Sequence, residues 1–147
     1  MRTVVSVLAI LGIGVSDIVL ANCADVPDDA AKFSRHHQVH HFNGGPSSTV
    51  EDELTMWRQA DGENCFLLKT VGPNYHQCEV AGQVSPVESN KLQYKRGRCT
   101  ITLQSAARTV ELAVWPGWQR IGDGGTCAKT SCGLYGGISS GTFRARR

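Results

Sequence analysis

The chain has 147 residues, of which 41% are hydrophobic and 19% charged, and its formal net charge is +2 at pH 7. So small a net charge excludes the strong basic bias of nucleic-acid-binding proteins, and it gives no reason to expect an anionic membrane as a partner. The length suits one domain with a modest core.

The first residues predict export. A positive charge at Arg2 precedes an apolar stretch over residues 4–15, which is shorter than the ~20 residues that a membrane-spanning helix needs. Small residues ending at Ala21 are typical of a signal-peptidase site. We therefore predict a signal peptide over residues 1–21, one disulfide-stabilised β domain over residues 22–147, no membrane span in the mature form, and a periplasmic or secreted location.

A short helix is expected directly after the signal peptide, within residues 25–41. Pro27 and the acidic residues after it suit a first helical turn, and the alanines that follow are good helix formers. Residues 43–48, rich in Gly, Pro and Ser, break any regular structure.

Beyond that break the hydrophobic period becomes two, which is typical of β-strands. Ile101 and Leu103 alternate with threonines, and Val110, Leu112 and Val114 alternate in the same way. Turn residues separate the runs. We predict seven strands, near residues 53–59, 64–71, 75–84, 91–95, 99–104, 109–115 and 134–144. The fold class is therefore all-β, an antiparallel meander that closes into a barrel or a sandwich to hide its edges.

Six cysteines supplement the small core: Cys23, Cys65, Cys78, Cys99, Cys127 and Cys132. An even number in an exported chain predicts three disulfides, whereas acylation of Cys23, as in a lipoprotein, would leave one thiol unpaired. A local Cys127–Cys132 bridge is expected from their short spacing. Cys78–Cys99 and Cys23–Cys65 would complete the set, although six cysteines allow 15 connectivities.

A histidine cluster is the most conspicuous polar motif: His36, His37, His40 and His41. Imidazoles four residues apart share one face of a helix and can bind Cu(II), Ni(II) or Zn(II). On a strand, His37 and His41 would instead share one face. The alternative is an exposed polar segment that binds no metal.

The evidence for an enzyme is poor. Residues 137–141 match the G-x-S-x-G pattern around Ser139, but no histidine follows this serine, as the hydrolase order requires. Three adjacent carboxylates, Glu51, Asp52 and Glu53, resemble the solvated start of a strand rather than a glycosidase pair. Phosphate-binding and dinucleotide motifs are absent from the sequence, so we expect neither catalytic activity nor a cofactor, apart from a metal at the histidines.

Recognition is the remaining class of function. Trp115 and Trp118 flank a Pro-Gly turn, where aromatic rings are useful in protein contacts. For Trp115 we favour a core position, because it follows the inward-facing Val114. For Trp118 a barrel-capping role and a binding role remain equally open.

The chain also resembles known exported proteins. Its cysteine-containing segment between residues 75 and 133, closing on residues 141–144, is similar to a pattern in small exported bacterial proteins. In its leader, all-β domain, disulfides and terminal Ser-Gly it resembles the periplasmic and membrane-bound inhibitors of c-type lysozyme. That resemblance implies a small β-barrel whose loop, carrying Ser-Gly and an aromatic, blocks the lysozyme cleft. Ser140, Gly141 and Phe143 match this loop, with the aromatic one residue early, whereas the Lys-bearing second motif has no match.

These observations lead to three hypotheses. The first is a non-enzymatic exported binding protein that inhibits or antagonises a cell-wall hydrolase, with the binding residues Trp118, Ser139, Ser140 and Phe143. The second is a periplasmic metal-binding protein that uses His36, His37, His40 and His41. The third is an envelope accessory protein with no specific ligand. The expected partner is a protein, with peptidoglycan hydrolases as the candidates, and nucleic acid is not expected.

Overall fold

The computed structural model describes residues 23, 25–41, 43–115, 127, 132 and 137–146, and these form an antiparallel β-barrel. Eight strands follow one another around the barrel, and the last closes on the first: β1 (Ala31–Val39), β2 (Ser48–Arg58), β3 (Asn64–Val71), β4 (Gln77–Glu88), β5 (Lys91–Arg96), β6 (Cys99–Ala106), β7 (Thr109–Trp115) and β8 (Gly141–Ala145). A short 3-10 helix, Pro73–Tyr75, connects β3 to β4. The predicted all-β class is confirmed, and the barrel is the closed form.

The strands predicted between residues 53 and 115 correspond to β2 through β7, and the last predicted strand overlaps β8. The helix predicted over residues 25–41 is wrong, because residues 31–39 form β1 and pair with β2 along nine positions. Its burial also has the period of a strand, with Phe33, Arg35 and Val39 more buried than the exposed His36 and Gln38 between them. Helix propensity is a weak preference, and pairing with a long neighbouring strand overrides it.

The barrel interior holds the main core, which is built from alternate residues of every strand. Leu54, Phe66, Leu68, Ile101, Leu103, Leu112 and Phe143 are each at most 1% exposed. A smaller cluster lies outside the barrel wall, where Trp57 packs with Cys23 and Cys65. Burial of this apolar surface supplies the main stabilisation of the fold.

Three disulfides fasten segments to the barrel: Cys23–Cys65, Cys78–Cys132 and Cys99–Cys127. The first was predicted; the expected Cys127–Cys132 and Cys78–Cys99 bridges are wrong. Strand β5 separates β4 from β6, so Cys78 and Cys99 lie at least two strand spacings apart, at least about 10 Å, which is beyond the Cα separation that a disulfide spans. Each instead bonds to the connection between β7 and β8.

The three bridges leave no free cysteine among the described residues, and such a set is typical of an oxidising, exported compartment. In the part of the chain that the structure describes, no helix is long and apolar enough to cross a membrane. The predicted signal peptide, residues 1–21, lies outside the described residues.

Candidate functional site

One end of the barrel differs from the other in its connections. At the first end, tight turns join β2 to β3, β4 to β5 and β6 to β7. At the second end, which we call the loop end, the connection over residues 116–140 leaves β7 and enters β8. Disulfides bind this connection through Cys127 and Cys132 to the first residue of β6 and to the start of β4. Two of the three disulfides, Cys78–Cys132 and Cys99–Cys127, therefore lie at the loop end.

Residues 137–140, which we call the presented loop, are held in place by four hydrogen bonds. The Thr70 hydroxyl donates to the carbonyl oxygen of Gly137 over 2.9 Å, and the Val114 N–H donates to the Ser140 Oγ over 3.0 Å. The Arg35 guanidinium donates to the Ser139 Oγ over 3.0 Å and to the carbonyl oxygen of Ser140 over 3.1 Å. Both serines nevertheless remain exposed. The loop is thus fixed by three different strands, and its Ile138 side chain is buried in the core, while Ser139 and Ser140 face solvent.

Arg35 reaches the presented loop from inside the barrel, where Asp52 positions it. The Arg35 Nε and Nη2 each lie 2.8 Å from the Asp52 Oδ2. Asp52 is fully buried, whereas the Arg35 side chain is 11% exposed. The other carboxylate oxygen of Asp52 accepts the N–H of Val71 over 2.8 Å. A buried carboxylate needs such partners, since an uncompensated charge in the interior is strongly destabilising.

Two residues of β8 complete the setting of this guanidinium. The Arg35 Cζ lies 4.7 Å from the centre of the Phe143 ring, a geometry that favours a cation over an aromatic face. Gly141 leaves room for the side chain, because a Cβ at this position would overlap the Arg35 Nη1. Packing, charge and hydrogen bonds therefore all restrict Arg35 to one orientation.

A cavity of about 250 Å³ opens beside the presented loop, lined in part by His37, Asp52 and Ser139. The His37 Nδ1 is buried and lies 3.4 Å from the Asp52 Oδ2, but it makes no hydrogen bond to any residue that the structure describes. Ser139 already accepts a hydrogen bond from Arg35. The serine of the G-x-S-x-G segment, Ser139, thus accepts a hydrogen bond that fixes the presented loop to Arg35.

The histidine cluster does not converge on one point. Because these residues lie on and just after β1, His36 faces outward with its Nε2 4.0 Å from the Glu51 carboxylate, while His37 faces inward. His40 contacts the Ser47 hydroxyl over 2.8 Å and His41 the Ser48 hydroxyl over 3.0 Å. Within the described ranges, no group of three or more His, Cys, Asp or Glu side chains could hold a metal ion. His36 and His40 were expected to share one face of a helix, but His36 lies in strand β1 and His40 directly follows it, so this pairing does not occur.

The predicted binding residues have different outcomes. Ser139 and Ser140 are exposed at the loop end. Phe143 is 0% exposed in the core, so its assignment as a partner-facing anchor is wrong: its position in β8 points inward. Trp115 is 73% exposed, so the expected core position is wrong. Successive side chains of a strand face opposite sides, and Val114, the residue before Trp115, faces inward. Trp118 lies outside the described residues.

Sequence reasoning missed Arg35 and Asp52, the two residues that organise the site. Asp52 lies between Val50 and Leu54 at a spacing of two, and all three are buried, so its parity was a usable signal. Arg35 gave no such signal, because its segment was assigned to a helix.

A second ionic contact joins the end of the chain to the outer wall. The Arg146 Nη2 lies 2.8 Å from Glu51 and 2.6 Å from Glu53. A hydrogen bond from Ser34 and then the contact with Arg146 lower the pKa of the Glu51 carboxyl, and the same carboxylates raise the pKa of Arg146. β8 and β1 share only two paired positions, so this contact reinforces the closure of the barrel.

Comparison of the chain with protein-family models, with curated proteins and with solved structures finds no match.

Proposed function

We propose that this protein is a non-enzymatic, exported binding protein that antagonises a cell-wall hydrolase, with the presented loop entering the cleft of its partner. The observation that carries the proposal is that residues 137–140 are fixed while Ser139 and Ser140 are exposed. Four hydrogen bonds hold the loop, and its two serines face solvent.

Fixation favours this function for a thermodynamic reason. A flexible loop loses conformational entropy when it binds, whereas a loop that already has its bound shape loses little. The nearby disulfides at Cys127 and Cys132 restrict the same connection further. A braced loop whose exposed side chains are small can enter a narrow cleft, because its backbone can then approach the floor of that cleft closely.

The direct test measures lysis of peptidoglycan by a panel of muramidases and amidases, with and without residues 22–147 at micromolar concentration. Ser139→Tyr adds bulk at the exposed tip, where the Ser139 side chain accepts one hydrogen bond, from Arg35, among the residues that the structure describes. Ser140 is a poorer position, because its Oγ accepts the backbone N–H of Val114. Thr142→Tyr is the matched control, since Thr142 is exposed on the wall of β8.

We expect at least one hydrolase to be slowed, Ser139→Tyr to abolish the effect, and Thr142→Tyr to retain it. If no enzyme of the panel is slowed, the antagonist function is wrong. If one enzyme is slowed equally by the protein and by Ser139→Tyr, the function stands and a different surface makes the contact.

A further inference from the structure

The small net charge of the chain conceals a cluster of cations at one hairpin. Lys95, Arg96 and Arg98 surround the turn between β5 and β6, and all three are exposed. No carboxylate of the described residues forms an ion pair with any of them. By contrast, Glu79 on β4 is paired with Lys69. Three neighbouring cations therefore present their charge to solvent.

The turn that carries these cations is short. Arg96 pairs with Cys99, so only Gly97 and Arg98 form the connection, and Gly97 has a φ of +58°. A positive φ at the first central position is typical of a tight two-residue hairpin turn. The backbones of the three cationic residues are consequently held together at the loop end.

An exposed indole lies on the same face of the barrel wall. Lys95 pairs with Thr100, and Thr100 pairs with Trp115, so these three side chains form a row pointing outward. Two strand spacings separate Lys95 from Trp115, about 10 Å. The other exposed large hydrophobic residues of the described chain, Val26, Tyr75 and Val87, lie outside β5, β6 and β7.

We propose that Lys95, Arg96, Arg98 and Trp115 form a binding surface for the phosphate-bearing headgroups of an anionic lipid bilayer. Guanidinium groups match phosphate oxygens, and an indole is suited to the headgroup level, where one side is apolar and the other wet. A protein partner is less well matched, because a stable protein interface has an apolar core, and Trp115 has only Thr100 and Ala113 as close outward neighbours on β6 and β7. The proposal does not depend on antagonism of a hydrolase.

The test uses residues 22–147 and sedimentation with two kinds of vesicle, pure phosphatidylcholine and phosphatidylcholine with phosphatidylglycerol. We expect association with the anionic vesicles alone, weakening as salt screens the charges. Arg96→Gln with Arg98→Gln should weaken it about thirtyfold. Trp115→Phe should remove most of the fluorescence change on binding. Lys32→Gln with Arg108→Gln, which removes the same charge from the opposite end, should leave association within about twofold.

Three results would overturn the proposal. Equal losses in the two double variants would mean that net charge alone drives association. Release by inorganic phosphate, but not by chloride of equal ionic strength, would mean that the cations recognise free phosphate rather than a lipid surface. No association with anionic vesicles at low salt would exclude a lipid surface as the partner of these cations.

Discussion

The pairing of Arg35 with Asp52 gives the most informative perturbation. Arg35→Met removes the guanidinium and leaves a fully buried carboxylate without its cationic partner. Breaking a buried pair in this way destabilises a protein by about 3–5 kcal/mol. The same change also removes two of the four hydrogen bonds on the presented loop.

A double-mutant cycle isolates the interaction between the two charges. Asp52→Asn retains an amide oxygen that can accept the Val71 N–H. The Arg35 guanidinium that remains reaches solvent at the barrel end. We therefore expect Asp52→Asn to lower the free energy of unfolding by about 1–3 kcal/mol, less than Arg35→Met. The double variant Arg35→Met with Asp52→Asn contains no buried charge at this position. We expect it to be more stable than Arg35→Met alone, with a coupling energy of about 2–3 kcal/mol.

The assay is urea denaturation with the disulfides intact, comparing the free energies of unfolding of the four proteins. Lys69→Met is the control, because Lys69 and Glu79 form a pair at 3.6 Å with both side chains more than half exposed, and its loss should change stability by less than about 1 kcal/mol. Additive effects of the two single substitutions would refute the coupling. An Arg35→Met effect no larger than that of Lys69→Met would refute the buried pair as the organising contact.

Three further outcomes follow from the same structure. Phe143→Ala should destabilise the protein by about 3–5 kcal/mol, because the ring is fully buried, and urea denaturation measures this. Peptide mapping of the unreduced protein should recover Cys99 linked to Cys127, and a peptide with Cys127 linked to Cys132 would contradict this. Replacing Cys99 and Cys127 by Ser should reduce the free energy of unfolding by about 3–4 kcal/mol, because the bridge closes a loop with a sequence separation of 28. The lowered pKa of Glu51 means that its carboxylate stabilises the fold above the pKa of the unfolded chain, and that this contribution is lost as the pH falls through the lower folded-state pKa. The stability difference between the protein and Glu51→Gln should therefore shrink on acidification, whereas a difference independent of pH would argue against the contacts of Glu51 with Ser34 and Arg146.

The sequence was sufficient for the features that depend on local period and composition. Alternation over Ile101, Leu103, Val110, Leu112 and Val114 identified β6 and β7 and their inward faces, because a pleated strand buries every second residue. The even number of cysteines predicted three bridges. The Cys23–Cys65 pair was also predicted correctly, but as the remainder after two pairs that the structure does not contain, so the number of cysteines predicted the number of bridges and not their connectivity.

Only the tertiary structure decided which residues meet. Strand β1 exists because β2 offers nine partners to it, and no local pattern in a segment of good helix formers reveals such a neighbour. The other two disulfides depend on β5 lying between β4 and β6, and the exposure of Trp115 depends on where β7 ends on the closed wall. Arg35 and Asp52 are 17 residues apart, and the loop that Arg35 holds lies more than 100 residues further along the chain. Contacts over such separations follow from strand order and barrel closure, which local hydrophobic period does not encode.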